Sequence, residues 1–133
     1  EKDRLQVWTK RFLEIRPNQH VLLAEINGEA VGFACIVGDE DRNFGSLLDN
    51  IHVSTQLQGQ GIGTTLLKAA AKWSFENFPD KRLYLFVYQQ NEKALQFYKN
   101  LGGIIAGRKF LANPDGSKAM VVRVVWECNT DIG

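Results

Sequence analysis

Gly59, Gly61 and Gly63 stand at alternate positions in QLQGQGIGTTLL, residues 56 to 67, and the run that follows carries no charge before Lys68. A strand that enters a glycine-rich turn and leaves as a helix aims several unpaired N–H groups, with the positive end of the helix dipole, at one point. That is the chemistry of an anion site, and glycine leaves room for a phosphate to approach the backbone. The same spacing also suits a tight turn that binds nothing. A nucleotide-hydrolysing loop needs Gly-Lys followed by Ser or Thr, whereas Gly63 is followed by Thr64 and Thr65. A dinucleotide fingerprint aligned on Gly59 and Gly61 needs a small residue where Thr64 stands and an acid where the next strand ends in Val87 and Tyr88. Both nucleotide readings fail.

The elements that must position such a loop follow from periodicity and punctuation. Leu5, Trp8, Phe12 and Ile15 recur at helical spacing until Pro17, which predicts an amphipathic N-terminal helix. HVLLAEI and VGFACIV flank Asn27-Gly28, so residues 20 to 37 read as a β-hairpin. GDEDRNFG is a polar loop, and SLLDNIHV is a strand ending at Val53. Residues 63 to 78 read as a helix with Leu67, Ala70, Ala71, Ser74, Phe75 and Phe78 near one face, ended by Pro79. RLYLFVY is the next strand. Asn91 caps a second helix with Ala94, Phe97, Tyr98 and Leu101 on its apolar face and Gly102-Gly103 as its stop. GIIAGRKFLA and KAMVVRVVWE bracket NPDGS as a C-terminal hairpin. This order predicts an α/β fold, a mixed central β-sheet flanked by helices.

Composition limits the partners. A chain of 133 residues suits a single domain, 1–133, large enough for a real core. A formal net charge of +1 predicts no general attraction to nucleic acid or to an anionic membrane. Cys35 and Cys128 make neither a disulfide framework nor a metal spacing, so no metal is expected and a reducing cytoplasm is the default location. No apolar stretch approaches the roughly 18 residues of a membrane span. The chain opens on Glu1, within the N-terminal helix as read here, which suggests that part of a natural N-terminus is missing.

Gln58-Gly59-Gln60-Gly61-Ile62-Gly63, after the strand NIHV, resembles the Q/R-x-x-G-x-G/A pyrophosphate loop of the GNAT superfamily of acetyl-CoA-dependent N-acetyltransferases. NEKALQFYKNLGG, residues 91 to 103, is similar to that family's N-x-x-A-x-x-x-Y-x-x-x-G-F segment, and the two stand in the family's order and separation. The resemblance covers about residues 20 to 126. It implies a GNAT-like acyl-CoA N-acyltransferase fold whose sheet opens after Val53 to admit acetyl-CoA. It places the ligand against Ile51, His52, Val53, Gln58, Gly59, Gln60, Gly61, Ile62, Gly63, Thr64, Asn91, Ala94 and Tyr98. The departures are Ser54 and Thr55 where the family often has proline, and Gly103 where it usually has an aromatic residue, a change expected to weaken packing there. The family begins with a further strand, so this sheet is expected to lack its first strand, leaving an edge that favours a homodimer.

Acetyl transfer to an amine asks for three things. The amine, with a pKa near about 10.4, must lose a proton; the thioester oxygen needs an N–H donor as it gains charge; and the thiolate needs a proton. Val53 N–H is the expected donor, and Tyr98 stands where the family's tyrosine does, as general acid. The family's usual glutamate positions match Leu47 and Phe86, which take no proton. Asp49, two residues after Leu47 and on its strand face, is the first candidate base, and His52, on the other face, the second; a water chain is the alternative to both. Tyr98 also suits plain packing and Asn91 plain capping. The acids at 39 to 41 would attract a cationic amine or form a solvated turn, and Trp8, Trp73 and Trp126 suit the core or an interface. The expected activity is transfer of acetyl to a primary amine of a small molecule or peptide. The alternatives are a non-catalytic CoA-binding sensor and an interaction domain that binds no CoA.

Overall fold

The strands are β1 (Leu5–Lys10), β2 (Gln19–Ile26), β3 (Glu29–Asp41), β4 (Gly45–Val53), β5 (Leu83–Tyr88), β6 (Ile104–Ala112) and β7 (Lys118–Trp126). The helices are α1 (Ile62–Asn77), between β4 and β5, and α2 (Glu92–Asn100), between β5 and β6. The structure, a computed structural model, describes residues 5–10 and 18–128. Its strands form one sheet in the order β1-β2-β3-β4-β5-β7-β6, antiparallel throughout except where β4 meets β5. No described helix is long and apolar enough to cross a membrane.

Local chemistry explains most elements. The β2–β3 hairpin turns on Asn27 (φ 54°) and Gly28 (φ 83°), the pair of positive φ values that matches the twist of two flanking strands. The polar loop expected from GDEDRNFG is largely strand: β3 runs on to Asp41, and the turn shrinks to Arg42–Phe44. Asp41 makes this possible, because its Oδ1 accepts the N–H of Asn43 at 2.7 Å and of Phe44 at 2.9 Å and so closes the turn locally.

The N-terminal helix is the larger correction. Residues 5–10 form β1, paired with β2 from Leu5↔Ile26 to Lys10↔Val21. Leu5 and Val7 satisfy a two-residue period as well as Leu5 and Trp8 satisfy a helical one, and both pack against the core. The open N–H and C=O groups of β2 decide between them. The expectation of a sheet lacking this strand falls with the helix, and β1 takes the place of β2 as the edge strand on this side. Phe12 and Ile15 lie outside the described residues.

Both helices cover the same face. Leu66, Leu67, Ala70 and Ala71 of α1 and Tyr98 of α2 join one core with Leu83, Leu85, Val122 and Val124 of the strands. Burying Leu66 and Leu67 completely contributes about 2–3 kcal/mol each. Gly103 tightens this packing rather than loosening it: a Cβ there would stand 2.5 Å from Val124 Cγ1 and 3.0 Å from the Trp126 ring. Trp126 is fully buried beside it and donates its indole N–H to Leu101 O at 3.1 Å. The opposite face, bearing Phe33, Leu47, Tyr84, Phe86 and Arg123, is covered by neither described helix.

Candidate active site

The parallel contact of β4 with β5 is short. Ser46↔Leu83 and Leu47↔Tyr84 are its only registered pairs, and beyond them the strands part. β5 stays paired on its other side as far as Tyr88↔Val121, and β4 stays paired with β3 as far as Val53↔Gly32. The result is a fork, and it opens after Leu47 rather than after Val53 as expected. A bulge drives it: Ile36 faces Leu48 and Cys35 faces Asn50, leaving Asp49 as the extra residue.

The bulge also resets the faces of β4. Leu48, Ile51 and Val53 all pack towards the helices, so Asp49, Asn50 and His52 are exposed on the other side. Asp49 and His52 therefore share a face, contrary to the simple alternation read from the sequence. The His52 ring lies against Phe33, with centroids 5.7 Å apart. Ser54 N–H donates to Val31 O at 2.8 Å, which fixes which residues of β4 bond to β3. In that register His52 directs its backbone at β3, whereas Ile51 and Val53 direct theirs into the fork. Val53 O accepts Gln58 Nε2 at 3.2 Å, tying the start of the glycine loop to the strand.

After a single 3-10 turn, Thr55–Leu57, the loop passes through Gly59 and Gly61, both at φ 86°. Gly61 is the N-cap of α1 and no side chain caps it, so the N–H groups of Ile62, Gly63 and Thr64 point outward. The first turn carries no acidic residue to compete for the dipole. Thr65 N–H and Thr65 Oγ1 both donate to Gly61 O at 3.0 Å and brace the turn. Gln60 is exposed beside it. These donors suit a pyrophosphate, and the strand edge at Ile51 and Val53 suits a chain of amides continuing from it.

The second helix closes the fork from the far side. Asn91 caps α2 through Oδ1, which accepts Ala94 N–H at 3.2 Å. A Cβ on Gly63 would meet Phe97 Cζ at 3.6 Å and Val53 Cγ2 at 3.8 Å, so the end of β4, the start of α1 and α2 converge. Tyr98 follows Phe97 and is buried, its ring edge-on to Phe97 and to Trp126. Burial raises its pKa above the ordinary tyrosine value, which keeps the hydroxyl protonated.

Sequence reasoning missed a second constellation, on the face away from the helices. Tyr84, the last paired residue before the fork, is buried and carries Phe44 at 6.0 Å and Phe86 at 5.7 Å between centroids. Its pKa is pushed up to about 12, first by burial and then by the carboxylates of Asp41, Glu40 and Asp49, with Arg123 acting in the opposite sense. The available signal was the single charge in MVVRVVW, an arginine inside an otherwise apolar strand. Of the remaining candidates, Leu47 and Phe86 are half-buried on this face, Cys35 is half-buried with Gln19 Nε2 3.8 Å from its Sγ, and Trp73 lies tilted against His20 with centroids 4.2 Å apart.

Strand order, a parallel pair that forks and a glycine loop opening a helix together define the fold of the acyl-CoA N-acyltransferases. A solved GNAT family acetyltransferase from Elizabethkingia anophelis, with acetyl-CoA bound, matches it with a TM-score of 0.74 at 18% identity, over 95% of this chain and 99% of that one. The family model described as Acetyltransferase (GNAT) family matches residues 1–102, and the chain belongs to that family. Among curated relatives, the spermine/spermidine N(1)-acetyltransferase of Bacillus subtilis is 33% identical over 100 residues, 71% of this chain and 63% of its own length. The spermidine N(1)-acetyltransferase of Escherichia coli is 37% identical over 57 residues, 43% of this chain and 31% of that one. The chain thus spans less than two thirds of the length of these relatives.

Proposed function

We propose that the protein transfers the acetyl group of acetyl-CoA to a primary amine by direct attack. The observation that carries this reading is the fork, with the backbone of Ile51 and Val53 turned into it and the bare N–H groups of α1 at its end. In this reading Gly59, Gln60, Gly61, Ile62, Gly63 and Thr64 hold the pyrophosphate, Gln58 pins the loop to β4, and Asn91 and Ala94 present the start of α2 to the pantetheine arm. Acetyl-CoA supplies a thioester carbonyl that accepts the amine.

The chain's residues do the rest. The amine enters from the face without helices and forms the N–C bond as the C–S bond breaks. Val53 N–H donates to the oxygen that gains charge. Tyr98 gives its proton to the departing thiolate. Asp49, with His52 behind it on the same face, takes the amine's proton directly or through water. The carboxylates of Glu40, Asp41 and Asp49 favour an ammonium near Tyr84 before attack, and the names of the relatives make polyamines the first acceptors to try.

Incubating the protein with acetyl-CoA and a panel of amines, with the acetylated product read by mass spectrometry, tests the proposal. Product and free thiol should appear in equal amounts. CoA-dependent stabilisation of the fold without any product would favour the sensor reading instead.

A further inference from the structure

Arg123 lies in the middle of β7, paired with Phe86 on the face that receives the acceptor. Its guanidinium stacks 3.9 Å over the Phe44 ring and 5.1 Å from that of Phe86. Nη1 donates to Ala106 O at 3.3 Å. That carbonyl is turned inward by the irregularity of β6 between Ile105 and Arg108, where Gly107 takes φ 124°. The opposite edge of the guanidinium is different: Nε is buried and has no hydrogen-bond partner among the described residues. Lys109 brings a second cation to the same ring, 4.4 Å from the Phe86 centroid.

Two cations converging on one aromatic ring repel each other, and a buried charged donor without an acceptor is costly. Asp41 is a counter-charge that both cations influence, but its Oδ1 is engaged by the N–H groups of Asn43 and Phe44. The Nε edge of an arginine is the side that grips a carboxylate through two parallel bonds. Phe86 is two residues beyond the last pair of β4 with β5, so this edge stands beside the mouth of the fork. The carboxylates around Tyr84 and the cations at Phe86 thus lie along one wall, which offers an ammonium and a carboxylate a partner each.

We propose that Arg123 is a specificity-determining residue that binds a carboxylate of the acceptor, which makes the acceptor an amino-carboxylate rather than a pure polyamine. The inference rests on the acetyl-transfer reading above. The amine faces Asp49 and Tyr84, while the carboxylate takes Nε–H in the plane of the guanidinium, at the edge of the stack with Phe44. Lys109 supports it from the side.

Matched acceptors with and without a carboxylate test this: lysine against 1,5-diaminopentane, and ornithine against 1,4-diaminobutane. The wild type should favour the carboxylate member of each pair by about tenfold or more in kcat/KM, the worth of one charged hydrogen bond. Arg123→Met should bring that ratio towards one, mainly through KM, and Arg123→Lys should restore it only in part because the planar fork is lost. A wild type that favours the diamines overturns the proposal, as does a ratio that Arg123→Met leaves intact. Should Arg123→Met fail to fold, the wild-type ratio and Arg123→Lys still decide. Should no amine be acetylated, the acetyl-transfer reading fails separately, and the NMR signal of Arg123 Nε–H in the CoA-saturated protein decides. It should move with lysine and not with 1,5-diaminopentane; equal or absent responses would overturn the assignment.

Discussion

Gly63→Ala should make the protein more stable and leave CoA binding in place, since the family's loop takes Gly or Ala at this position, whereas Gly63→Val should bind CoA worse. Gly63 is the second residue of α1, with no positive φ, and the added Cβ meets only ordinary contacts, 3.6 Å to Phe97 and 3.8 Å to Val53. Replacing glycine by alanine in a helix gains about 0.5–1 kcal/mol, with the low end expected in a first turn. That raises the melting temperature of a chain this size by about 2–3 °C. The further methyls of Gly63→Val would stand between the end of β4 and α2, in the mouth of the fork. CoA at a hundredfold over its wild-type Kd stabilises the wild type by roughly 2.7 kcal/mol. A hundredfold loss of affinity in Gly63→Val would leave about 0.4 kcal/mol at that concentration. Gly61→Ala is the contrast: its Cβ meets nothing within 4 Å, but φ 86° costs a side chain about 1–2 kcal/mol, so it should melt lower. Thermal melts of the four proteins with and without CoA read both effects. A Gly63→Val protein that gains as much from CoA as the wild type would refute the placement of the ligand in the fork.

Tyr98→Phe keeps both edge-on ring contacts, so folding and CoA binding should hardly change while turnover falls about 10²-fold or more. Because burial holds the Tyr98 pKa above its ordinary value of about 10, a wild-type rate profile should show no alkaline loss from this group below that pH. Asp49→Asn should cost rate most at low pH, where few acceptor amines are already neutral, and a flat profile would point to a water chain. Gly103→Ala forces a Cβ to 2.5 Å from Val124 and 2.9 Å from Tyr98 O, and urea unfolding should show a loss of about 1–3 kcal/mol. Ser74 Oγ is buried without a hydrogen-bond partner among the described residues, so Ser74→Ala should stabilise by about 1 kcal/mol in the same assay.

Elements whose signals are local were legible in the sequence. The Asn27-Gly28 hairpin, the glycine loop with α1 behind it, and the Asn91 cap of α2 each depend on residues within a few positions of one another. What failed depends on partners distant in sequence. Leu5, Val7 and Trp8 fit two periods, and only the edge of β2 selects the strand. The bulge at Asp49 arises from pairing with β3, and because it adds one residue it reverses the face assigned to His52 relative to Asp49. The wall of Phe44, Tyr84, Phe86 and Arg123 draws on a turn and two strands, and no short window contains it. A resemblance to the family located the loop and Tyr98, but it carried no information about that wall, since the acceptor side is where this chain departs from the family's glutamates.

Residue-resolved amide hydrogen exchange with saturating acetyl-CoA tests the account most directly, because it asks whether the fork itself takes the ligand. Protection should rise at Ile51, Val53 and Ile62 to Thr64, with little change at His52, whose N–H is directed at β3. Unchanged exchange at Ile51 and Val53, with protection appearing elsewhere or nowhere, would contradict it.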